Sequence, residues 1–285
     1  MRKLIAGGLL GATAMLLFAS SALASSHNPT GEYAQFKECP LNRATITDCV
    51  FAETDGGGFT VGKKEVPLVN PIELQGGFEG EGQEIEFYGA ENGDTLSKTP
   101  QPVPGGLLGI TAPKWWPLFL QNWFNNLINE GFTGVDATVE LTGPTKGLTN
   151  VFLSTENLLF EEGTALGIPA KIRLSNAILG SNCYIGSESS PVQIDFTTGT
   201  DGALNGDAGS LTFNEAFTII TISGGQFVNN SFAAPGVNGC GGIFSFFINP
   251  LVNSIIGLPS GAGTNSAILE GKLQDGNAEA VKASE

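Results

Sequence analysis

Few residues in this 285-residue chain are of the types that do chemistry, and their spacing argues against most of it. Histidine occurs once, at His27. Ser–His–Asp and Cys–His systems need a base held within hydrogen-bond reach of a nucleophile, and a histidine on a loose N-terminal segment is a poor base. No GxSxG turn occurs, and the His/Cys sets that hold zinc are missing. Gly57 to Lys63 reads GGFTVGK, which fits the first seven positions of a phosphate loop. The eighth is Lys64, where Ser or Thr would hold magnesium, and the surroundings read as a hairpin. Glutamates cluster at Glu79, Glu81, Glu84 and Glu86, and again at Glu161 and Glu162. Sugar hydrolysis needs two carboxylates held roughly 5–10 Å apart across a cleft. Alternation places Glu84 and Glu86 together on the polar, solvated face of one strand. Asp201, Asn205 and Asp207 offer oxygens for calcium, but Thr212 stands where an EF-hand needs glutamate, so a polar turn is expected. Asn229-Asn230-Ser231 is a formal glycosylation sequon, given little weight because the leader looks bacterial. No catalytic, cofactor or metal site is expected.

Two other residue types carry more information. The four cysteines are Cys39, Cys49, Cys183 and Cys240. In an exported chain an even count implies disulfides, and four cysteines allow three pairings. Cys39–Cys49 and Cys183–Cys240 are favoured because each pair lies in one segment. The three tryptophans all fall within Lys114–Phe132. There Trp116, Phe119, Leu120, Trp123, Phe124, Leu127 and Ile128 recur at steps of three and four, the period of one helical face. Gln121, Asn122, Asn125, Asn126 and Asn129 take the other side. Pro117 suits a first turn and Gly131 a C-terminal stop. The aromatic face either packs over an open sheet end or meets a partner. The candidate contact residues are Trp115, Trp116, Phe119, Trp123 and Phe124.

The elements that must position these residues follow from the rest of the chain. Residues 1–24 read as a secretory signal peptide: Arg2 and Lys3, an apolar run from Leu4 to Phe18, then Ala22-Leu23-Ala24 before the cut. No cysteine follows that cut to take a lipid, no second apolar run reaches about 18 residues, and the end, EAVKASE, has no sorting tail. No transmembrane anchor is expected after cleavage. The formal net charge is −15, so phosphate backbones and anionic lipids should repel the protein, and nucleic-acid binding is not expected.

Residues 25–43 form a polar N-terminal arm, and 44–285 one β-rich domain with a helical insertion near 114–131. Alternation is clean at Val135, Ala137, Val139 and Leu141, and again at Ile172 and Leu174 and at Val192, Ile194 and Phe196. Strands with one wet face belong to antiparallel sheets. Gly56-Gly57-Gly58 reads as a turn and Gly76-Gly77 as a strand end; NPLVNSIIGLP reads as a short helix and NSAILEGKLQ as a closing strand. The fold class is therefore mainly β: an antiparallel β-sandwich or jelly-roll-like barrel with one aromatic amphipathic helix.

Several runs resemble a group of exported actinobacterial proteins. They are TITDCVFAETDGGGFTVGKKEVPLVNPIELQGGF, TLSKTPQPVPGGLLGI, SNCYIGSESSPVQIDFTTGT and NNSFAAPGVNGCGG with NPLVNSIIGLPSGAGTNSAILEG, and the resemblance covers most of the chain after the leader, roughly residues 35–272. The resemblance implies an exported, disulfide-bonded β-protein and brings no activity with it. The leading expectation is a non-enzymatic extracellular or cell-envelope protein that binds cell-envelope polysaccharide or an apolar ligand, or serves as a structural surface component. A secreted carbohydrate-active hydrolase with paired carboxylates is the alternative, and an oligomeric pore-former a lesser one.

Overall fold

The computed structural model describes residues 27–81, 84–106, 111–130 and 134–285; at 81, 84 and 127–130 it describes the backbone. Residues 1–24, expected to be a signal peptide, lie outside the described residues, as do Gly131 and the side chains of Leu127, Ile128 and Asn129.

Two antiparallel sheets face each other as an open sandwich, not a closed barrel. The first sheet runs in the order Ser210–Phe213, Ile219–Asn229, Ser266–Asn277, Ile46–Val61, Ile72–Glu81, Glu84–Gly89, Gly147–Leu148, with Lys64–Pro67 beside Ile46–Val61. The second is built around Leu166–Ser175, which pairs with Asp136–Leu141, Tyr184–Ile185, Val192–Phe196 and Phe152–Leu153. Inward side chains of both sheets make one core. Val50, Leu74 and Leu273 come from the first sheet; Ile168, Ile194 and Phe196 come from the second. Alternation marked Ile194 and Phe196 among these, along with Val135, Ala137, Leu141, Ile172, Leu174 and Val192 of the same core.

Strand Ile46–Val61 carries a near-continuous apolar start because it is covered on both sides. Val50 faces the second sheet, while Cys49 and Phe51 face a smaller cluster with Phe36, Tyr88, Ile219 and Val281. Phe36 ends a 3-10 helix, Gly31–Phe36, and Val281 lies on a C-terminal helix, Ala278–Ala283. The N-terminal arm is therefore packed, and His27 is not loose. Its Nδ1 lies 2.6 Å from Glu285 Oε1 and its Nε2 3.7 Å from Glu91 Oε1.

Both disulfides form in the expected pairing, Cys39–Cys49 and Cys183–Cys240, and all four cysteines are buried. The glycine runs behave differently from expectation. Gly56-Gly57-Gly58 continues its strand past a bulge near Thr54. A Cβ on Gly57, at φ +91°, would come within 2.1 Å of Ile268 O, and one on Gly58 within 2.7 Å of Val66 O. Glycine is needed there because strands close in on both sides. Gly76-Gly77 likewise continues its strand, Ile72–Glu81, since a Cβ on Gly76 would meet Tyr88 O at 2.2 Å. The phosphate-loop look-alike is the Val61–Lys64 hairpin.

Candidate functional site

Strand Ile46–Val61 spans the interior, and each end of it meets different chemistry. From Asp48 to Val61 is roughly 40 Å at ~3.3 Å per residue.

At the Val61 end, two helices present apolar fronts to solvent. The tryptophan helix is Leu118–Glu130, preceded by a turn at 114–116. Its polar side fastens it to its own lead-in. Gln121 Nε2 donates to Trp116 O (2.6 Å) and Lys114 O (3.2 Å), and Asn125 Oδ1 accepts Ala112 N–H at 2.7 Å. Trp116 packs edge-on against Phe124 at 5.6 Å and Trp115 at 6.2 Å. Phe119 and Trp123, four apart on the helix, and Trp115 in the turn before it are 70 %, 62 % and 81 % exposed. Their exposure sets aside the expectation that this face closes the core; Trp116 and Phe124 are half-buried within the helical unit itself.

The second helix, Ser245–Ile256, begins earlier than the NPLVNSIIGLP run and was not expected to be aromatic at its surface. Asn249 Oδ1 accepts Cys240 N–H at 3.0 Å and Asn253 Oδ1 accepts Val237 N–H at 2.7 Å, which ties it beside the Cys183–Cys240 disulfide. Val252 and Ile256 are buried; Ile243, Phe244, Phe246, Phe247 and Leu251 are exposed. The signal was available, because Phe244, Phe247 and Leu251 keep helical spacing opposite Val252 and Ile256. Ile256 of this second helix lines a cavity of about 60 Å³ together with Gly106 and Val135, the described residues that flank the tryptophan insertion in sequence. Isolated apolar residues on a surface need no explanation, but a contiguous apolar patch marks an interaction site.

At the opposite end, Asp48 and Asp275 point inward. In the register Asp275 lies opposite Val50 and Asp48 opposite Asn277, so the two are diagonal neighbours on one face, about 7–8 Å apart. They border an open groove with Thr47, Phe78, Ile85 and Thr155. Burial, and then the Asp48 carboxylate, push the Asp275 carboxyl up to about 7. Its Oδ1 is buried with no hydrogen-bond partner among the described residues. Sequence reading missed this pair because the partners lie on strands at opposite ends of the chain.

The other sequence candidates are structural. Glu79 is bound by Arg43 Nε at 2.5 Å, which holds its carboxyl below the usual range. Glu86, its cross-strand neighbour, is exposed. Asp207 Oδ1 accepts Gly209 N–H (2.7 Å) and Asn205 Oδ1 accepts the Thr200 hydroxyl (3.0 Å), closing turns, while Asp201 Oδ2 accepts Asn230 N–H (2.6 Å) and ties its hairpin to the end of strand Ile219–Asn229. No group of three metal-ligating side chains occurs among the described residues. Asn229 is buried and donates to Asp195 O at 2.7 Å. No protein-family model, curated protein or solved structure matches the chain.

Proposed function

We propose that this is an exported extracellular or cell-envelope protein that works by binding an apolar partner through the helical end of its sandwich. The observation that carries the reading is the pair of asparagine-fastened helices whose aromatic fronts, Trp115–Phe119–Trp123 and Phe246–Phe247–Leu251, stay in water. Holding large apolar groups in water forgoes about 1.5–3 kcal/mol per side chain, which a partner would recover. Phe, Leu and Ile dominate the second patch and offer no hydrogen bonds, so an uncharged lipid interface suits it better than a sugar. The net charge of −15 disfavours an anionic one. Two disulfides, and no membrane-length helix among the described residues, are compatible with a place outside the cytoplasm. Co-sedimentation with neutral phosphatidylcholine vesicles and with purified cell-wall polysaccharide tests this. Vesicle binding that Phe246→Ser/Phe247→Ser reduces at least tenfold is expected; retention by polysaccharide alone would overturn the lipid reading.

A second reading rests on the Asp48–Asp275 pair. A carboxyl that keeps its proton near neutral pH beside another carboxylate is how glycoside hydrolysis arranges its acid and its partner. Release of reducing sugar from cell-wall polysaccharide, abolished by both Asp275→Asn and Asp48→Asn, is what this reading requires.

A further inference from the structure

The interior behind the helical end carries a separate observation. The cavity of about 60 Å³ there is walled by Val61, Val66, Val103, Ile172 and Leu174 among others. A second cavity of about 70 Å³ adjoins it, against Leu74, Ile168, Ile194, Phe196 and Leu269, with Glu53, Thr54 and Lys272 at its rim. Phe59 and Val139 line both, so the two cavities adjoin at these side chains. Together the two voids approach the roughly 150 Å³ of an engineered apolar cavity that stays dry and admits a benzene-sized guest.

Two polar side chains border the outer cavity, Gln101 and Lys64. Gln101 is committed elsewhere. Its Oε1 accepts Val69 and Asn70 N–H at 3.0 Å each, and its Nε2 donates to Asn70 O at 2.7 Å. Lys64 is not. It sits on the inward face with Val66, and its Nζ donates to Gly106 O at 3.2 Å. An ammonium has three hydrogens to place. No carboxylate pairs with Lys64 among the described residues, and burial pulls its pKa down. Lys64 also lines an open outer groove with Lys63, Glu65, Pro67 and Pro104. The ammonium thus stands between a dry apolar void and water.

We propose that the space between the sheets is a binding site for a medium-chain alkyl carboxylate, with its chain in the two apolar cavities and its carboxylate on Lys64. A carboxylate supplies the charge and acceptor oxygens that Lys64 lacks. The void volume suits a chain of roughly six to eight carbons. Each methylene buried should tighten binding about fourfold until the cavities are full. The proposal shares with the preceding reading only the choice of which end faces the ligand.

Calorimetric titration of the full mature chain with butanoate, hexanoate, octanoate, decanoate and octanol tests it. Affinity should rise by about fourfold per methylene to octanoate and then level off. Lys64→Met should weaken octanoate at least tenfold while leaving octanol unchanged. Val139→Ile, a change small enough to keep the fold, should shift the plateau to a shorter chain. Phe246→Ser/Phe247→Ser should leave octanoate binding unchanged, which separates this site from the vesicle-binding front. Absence of saturable octanoate binding would overturn the proposal, as would equal losses of octanoate and octanol in Lys64→Met. Vesicle binding would stand in either case.

Discussion

The two ends of the sandwich interior share the same strands and differ in how they handle misplaced groups. At the Val61 end, large apolar side chains stay outside; asparagines tie the phenylalanine helix beside its disulfide and the tryptophan helix to its own lead-in. At the Asp48 end, carboxylates are drawn inside, where one of them keeps its proton. Each end also has its own disulfide: Cys183–Cys240 beside the phenylalanine helix, and Cys39–Cys49 on the far side of the strand from Asp48. The sheets are a neutral scaffold, and the departures from ordinary burial sit at their ends. Such departures are costly to keep, and that is the reason to seek function there.

The two ends should differ most when their disulfides are removed. Cys183–Cys240 closes a separation of 57 residues and Cys39–Cys49 one of 10. Loop-closure entropy then assigns ~4 kcal/mol to the first and ~3 kcal/mol to the second. Paired Cys→Ser variants followed by denaturant melts should show the helical end losing more. An equal or reversed order would mean the helical end is not the part that needs tying.

A smaller effect sharpens the other end. The folded chain holds the Asp275 proton up to about pH 7, whereas the unfolded chain releases it at the ordinary carboxylate value. The native state therefore binds more protons in that window, and stability should fall as pH rises from about 4 to 7, then level off. A shift from 3.8 to about 7 corresponds to something on the order of 4 kcal/mol. Glu79 and Glu188, whose carboxyls are held low, act in the opposite sense but only below their ordinary range. Thermal melts at pH 5 and pH 8 should show a lower Tm at pH 8 that Asp275→Asn removes. A wild-type Tm that does not change between these values would contradict the buried-carboxyl account.

The smallest expected effect is the most telling for the helical end. Trp115→Ser/Phe119→Ser/Trp123→Ser should change stability by only about ±0.5 kcal/mol per site, since these rings pack against little. A loss of several kcal/mol would show that they are core after all.

Much of the scaffold was legible in the sequence. The Asp136–Leu141 strand announced itself through Ala137, Val139 and Leu141, and short sequence separations selected the right cysteine partners. Glycines misled, because turn glycine and close-approach glycine look alike until a neighbour such as Ile268 O is in view. Tertiary packing also rescued the arm: nothing local says that Phe36 and Val281 meet across the same strand. The candidate site was half legible. The tryptophan stripe could be read from its period, while Asp48 with Asp275, and Lys64 over an apolar void, arise only when distant strands pair.

Tryptophan emission reports on the exposed aromatic front, because all three tryptophans belong to one helical unit. The full mature protein would be measured with a soluble quencher before and after neutral phosphatidylcholine vesicles are added. The account predicts red-shifted, readily quenched emission that moves to the blue and becomes shielded with vesicles. Emission that is already blue and shielded, and that ignores vesicles, would contradict it.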